Sequence, residues 1–200
     1  MQVTFVRTAG ARLELGSASL RPRSAMPRGS PDRVYVRRTD GREVSWSFPS
    51  YGNAPPHDLV HLVVEAAFGI ARGFWGRVDA GVDPSRVNAQ ANRTGGAMKD
   101  KYRGFGDDLG ELYFAETLAN LNWGLPDFDD SARLAALERG CAELGRPVPD
   151  GAARLLVEVR EVLEGLGDRW RGLLPKGAIE VGFDPAELRR SFERISAASR

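Results

Sequence analysis

The alternation of apolar and polar positions divides this chain into strands near both ends and helices between them. Val3-Thr4-Phe5-Val6 has the two-residue period of a half-buried strand, and Arg12-Leu13-Glu14-Leu15 is a candidate partner across a turn at Thr8-Ala9-Gly10. Residues 33–38 and 43–48 alternate as well and flank Thr39-Asp40-Gly41-Arg42. Asp-Gly between two such segments predicts a hairpin, because both residues tolerate positive φ. Val34 and Val36 fall on one face of the first strand, and Val44, Trp46 and Phe48 on one face of the second. A two-stranded ribbon is marginal alone, so this hairpin must join other strands or lie on helices. Residues 177–183 alternate again and can return to the same sheet.

In between, the period lengthens to that of a helix. After Pro55 and Pro56, apolar residues from Leu59 to Ile70 surround His57, His61 and Glu65 almost completely, which predicts a helix buried on most sides. Residues 107–122 predict a second helix, starting at Asp107 or Asp108, with Leu109, Leu112, Tyr113, Glu116 and Asn120 on one face. Asp130 or Ser131 is placed to cap a third, which reaches Leu144 and is stopped by Gly145-Arg146-Pro147-Val148-Pro149. Residues 152–173 form the clearest amphipathic helix, and 185–198 a short charged one. Gly73-Phe74-Trp75-Gly76 reads as a bulky turn whose aromatics wall a pocket or fill the core. Residues 17–32 read as a loop, with Arg21, Arg23 and Arg28 either solvated or set against a phosphate or acidic surface. The glycine-rich stretch 79–106 reads as a flexible insertion or a lid. The pattern as a whole predicts one α+β domain over residues 1–200. Its N-terminal antiparallel β-hairpins (1–50) and a C-terminal strand (178–183) pack on a helical middle (56–174).

Composition narrows the function more than the fold. With 42% hydrophobic residues, 200 residues can bury a sizeable core. Lysine and arginine total 28 against 27 acidic residues, so neither nucleic acid nor a membrane surface is an expected partner. A small molecule or another protein is what is left. The excess of arginine over lysine points to a GC-rich bacterial genome. Cys141 is alone, which precludes an internal disulfide and fits a reducing cytoplasm; beside Leu134, Leu137 and Leu144 it reads as a packed thiol. No stretch approaches the ~18 apolar residues of a membrane span. There is no P-loop, no CxxC pair, no G-x-G-x-x-G after a strand and no G-x-S-x-G elbow.

The chemistry concentrates in His57-Asp58-Leu59-Val60-His61, which holds both histidines of the chain. Residues four apart share a helix face, so the two imidazoles can close on one metal ion. Asp58 projects about 100° around the axis, where a general base acting on water would stand. Glu65, one turn beyond His61, either ligates directly or accepts the free ring N–H of His61. Asp58 and Glu65 are therefore the candidate catalytic carboxylates. Glu116, a carboxylate on a partly apolar stripe, needs a cation, a metal or a proton, and is the candidate distant ligand beside His57, His61 and Glu65. Two histidines and a carboxylate suit zinc or iron(II), with an open position for water or an oxygenated substrate. The competing account is a non-catalytic accessory or interaction protein in which the same groups form a buried network. An enzyme requires a concavity reaching solvent at the histidines.

His57-Asp58-x-x-His61 also resembles the HDxxH signature of the Coq4-type coenzyme Q biosynthesis proteins, a largely helical family in which that motif binds a metal together with a glutamate twelve residues after the second histidine. The resemblance implies a metal site built on His57, Asp58 and His61. The twelfth position after His61 is Gly73, not glutamate, and the N-terminal strands are a further departure. Pro56 to His61 followed by Gly73-Phe74-Trp75-Gly76 also resembles uncharacterised bacterial proteins, which carry no activity to transfer.

Overall fold

A computed structural model describes residues 1–8, 31–48, 52–85, 108–125 and 128–200. The alternating segments become β1 (Gln2–Val6), β2 (Asp32–Arg37), β3 (Glu43–Phe48) and β4 (Ala178–Gly182), an antiparallel sheet in the order β3-β2-β1-β4. Register follows the period of two: Val3 lies opposite Val36 and Val181, and Phe5 opposite Val34 and Ile179. These side chains and Trp46 are all buried, which gives the sheet one dry face. Gly41, at φ 83°, makes the predicted β2–β3 turn. Both edges of β1 are taken, by β2 and by β4; residues 12–15, the expected partner strand, lie outside the described residues.

Among the described residues six helices build up on the dry side of the sheet: α1 (His57–Phe68), α2 (Phe74–Asp79), α3 (Gly110–Ala119), α4 (Asp130–Glu143), α5 (Ala152–Gly172) and α6 (Leu188–Ser199). The fold is thus α+β, with strands from both ends of the chain in one sheet. In α1 every residue from Leu59 to Ala66 is buried, because the helix packs against α2, α3, α5 and α6. One apolar core runs from the sheet through these helices and includes Cys141. No helix among the described residues is long and apolar enough to cross a membrane.

Several boundaries differ from the expectation, each for a local reason. Residues 74–79 are helical where a turn is predicted, because the N–H groups opening α2 are satisfied by the Glu65 carboxylate from α1. The cap of α4 is Asp129, whose side chain accepts the Ala132 N–H, one residue before the expected caps. α6 starts at Leu188, not 185, since Asp184 accepts the Ala186 N–H in a turn that precedes the helix. Of the glycine-rich stretch, residues 86–106 lie outside the described residues, as do Arg21, Arg23 and Arg28.

Candidate metal centre

Pro55 and Pro56 start α1 abruptly, so His57 stands at its first position, half-buried, while His61, a turn deeper, is 2% exposed. The two rings are 4.8 Å apart between centres with their planes at 70°. α3 lies alongside α1 and brings Glu116 Oε1 to 3.6 Å from His61 Nε2. Asn120, one turn on, donates its amide to the other oxygen of Glu116 at 3.3 Å and to its backbone carbonyl at 2.8 Å, which orients the carboxylate. One ligand atom each from His57, His61 and Glu116 lies within 4.8 Å of the others. Ligands bonded to one zinc or iron ion at about 2.1 Å stand no more than ~4.2 Å apart, so small side-chain rotations bring the three into range. This group can hold a metal ion.

The far side of His61 is built differently. Its Nδ1 faces Glu65 Oε1 at 3.4 Å, an ion-pair contact without an aligned hydrogen bond. Glu65 is fully buried and accepts the backbone N–H groups of Phe74, at 2.8 Å, and Trp75, at 2.9 Å. Its carboxylate fills the space where a side chain at Gly73 would begin: a Cβ there would stand 2.6 Å from Glu65 Cδ. Glu65 thus orients one nitrogen of His61, so that the other points at Glu116 and His57.

Burial works against a charged ring at His61 and is the largest single influence. The close contacts and charges of Glu116 and Glu65 together exceed it and push the pKa up to about 9. Burial raises the Glu65 carboxyl above the usual range, against the opposing pull of His61 and of the Trp75 and Phe74 N–H groups. Without a metal, the site therefore holds a proton on His61 at neutral pH; an incoming cation has to displace it.

Of the residues proposed from the sequence, His57, His61 and Glu116 come together. Glu65 stands behind His61 rather than among the converging atoms. Asp58 is not among them either: Trp46 Nε1–H donates to its carboxylate and Trp75 Nε1–H to its carbonyl, both at 2.9 Å, which ties the start of α1 to the sheet. The parts played here by Trp46, Gly73 and the α2 amides are not written in the sequence pattern. The one available sign was Gly73, which stands where the resemblance calls for glutamate.

His57 also lies on the wall of a cavity of about 750 Å³ bounded by the start of α1, the end of α3, the start of α4 and one side of α5. Val60, Trp123 and Leu163 give it apolar surface, and Arg133 and Arg160 line it as well. No known protein family matches the chain, no curated protein matches it, and no solved structure matches it. Of the HDxxH motif only the two histidines enter the cluster; Asp58 stays outside it, and the carboxylate beside them is Glu116 of α3.

Proposed function

We propose that this protein is a metal-dependent enzyme that holds zinc or iron(II) with His57, His61 and Glu116. The observation that carries the reading is the convergence of two imidazoles and a carboxylate, one of which, His57, also lines a large cavity. A divalent ion there would supply Lewis acidity toward water or an oxygen of the substrate. Glu65 fixes the tautomer of His61, and Asp58 anchors α1 through Trp46; in this reading both are positioning residues rather than the catalytic pair the sequence suggests. Metal content, measured by plasma mass spectrometry on protein purified without an affinity tag, tests it. One equivalent of metal, lost in His57→Ala and in His61→Ala, is expected; no metal after anaerobic incubation with zinc or iron(II) overturns it.

One observation favours a second reading, a structural network in an accessory or interaction protein. His61 between two carboxylates already gives both of them a cationic partner without a metal. On that account a chelator leaves thermal stability unchanged and added zinc does not raise it.

A further inference from the structure

The cavity beside His57 has a second polar end that the metal reading does not use. Arg133, 3% exposed, lies with its guanidinium carbon 5.4 Å from the centre of the Trp123 ring and 6.0 Å from that of Phe128. Asp130 joins it to Arg160: Arg133 Nη1 donates to Asp130 Oδ1 at 2.9 Å, and Arg160 Nε to both Asp130 oxygens at 3.2 Å. Two guanidinium groups thus share one carboxylate. Their donors are not used up. Among the described residues Arg133 Nε is buried without a partner, and Arg133 Nη2 reaches only the Asn122 carbonyl, at 3.5 Å. Arg160 Nη2 has no hydrogen bond among the described residues.

The acidic groups nearby offset this only in part. Asp129 keeps its charge while capping α4 but pairs with neither arginine among the described residues, and Glu164, which accepts from Arg160 Nη1, is 59% exposed and so screened by solvent. The cationic trio Arg133–Asp130–Arg160 keeps one net positive charge, and unfilled donors in a partly dry wall are the arrangement that receives an oxyanion.

The distance to the metal end can be read along α5. At Gly167 a Cβ would touch Pro55, two residues before His57, whereas Arg160 lies seven residues earlier on the same helix, about 10 Å along its axis. Val60, Leu163 and Trp123 belong to the lining of the same cavity. We infer that the cavity binds an elongated amphipathic molecule whose oxyanion head, a carboxylate or a phosphate monoester, sits at Arg133 and Arg160, with its apolar body running toward His57. The donor end stands on the arginine geometry alone; the reach to His57 rests on the metal reading above.

Calorimetric titration with octanoate, octyl phosphate, octanol and the dicarboxylate octanedioate, on zinc-free and zinc-loaded protein, separates the two. In zinc-free protein octanoate or octyl phosphate binds and octanol does not, and the tighter of the two acids identifies the head group. Arg160→Gln, checked for an unchanged melting temperature, weakens that binding by about tenfold or more, and Arg160→Lys restores part of it. With zinc bound, octanedioate gains about tenfold over octanoate. Octanol binding as well as the acids, or acid binding untouched in Arg160→Gln, overturns the inference. Failure of zinc to bind, with Arg160-dependent acid binding intact, overturns the metal reading and leaves the arginine end standing.

Discussion

Glu65 and Glu116 approach the same imidazole from opposite sides, and the contrast between them explains the site. Glu65 is fully buried, clamped by two backbone N–H groups and wedged against Gly73. Glu116 is 19% exposed at its side chain and held by the long side-chain contact of Asn120. A clamped carboxylate can fix a ring but cannot follow an incoming ion; a looser one can. The same residue type therefore does two jobs, and the surrounding backbone decides which.

The largest effect should follow from removing the clamped group. Glu65→Ala leaves the α2 amides and His61 without their partner in a dry interior, at a cost of about 3–5 kcal/mol in thermal or denaturant unfolding. Glu65→Gln keeps an acceptor for those amides and should recover part of that loss while still weakening metal binding.

Next comes pH. The pKa of His61 in the folded state, about 9, lies above its ordinary value of 6.5, so the folded protein holds the proton more tightly. The resulting stability is fully present below about pH 6.5 and is lost as pH rises through about 9, a change of a few kcal/mol at most. Metal binding must displace the same proton, so zinc affinity should rise over that window while metal-free stability falls. Melting curves with and without zinc from pH 6 to 10 read both trends. A flat metal-free profile would contradict the charged ring.

A smaller effect is expected of Gly73→Ala. The added methyl overlaps the Glu65 carboxylate, which should cost about 1–3 kcal/mol and lower metal affinity by about tenfold through a displaced His61. Smallest in stability should be Glu116→Gln, which still offers His61 an acceptor, at about 1–2 kcal/mol in the metal-free protein, yet with a far larger loss of metal affinity. If Glu116→Gln proves as costly to folding as Glu65→Ala, the two carboxylates do not differ as described.

The strands and their hairpin were legible because a period of two and an Asp-Gly turn are local signals, and β4 was legible for the same reason. Glu116 could be singled out because a carboxylate on the Leu109–Leu112–Tyr113 stripe demands a partner. The role of Asp58 was not legible, since it depends on the Trp46 indole reaching across from β3; for Glu65 the spacing to His61 left ligation and orientation of the ring both open, and the amides that clamp it lie nine and ten residues further on. For the same reason α2 read as a turn, since its N-terminal cap comes from a different helix. The cavity is lined from four helices, and no stretch of sequence announces such a surface.

X-ray absorption spectroscopy of the zinc-loaded protein tests the central claim most directly. The account predicts zinc bonded only to nitrogen and oxygen at about 2.0–2.2 Å, with the outer-shell scattering of two imidazoles, and with imidazole scattering reduced in His57→Ala. Zinc with a sulfur neighbour, or with no imidazole scattering, would contradict it.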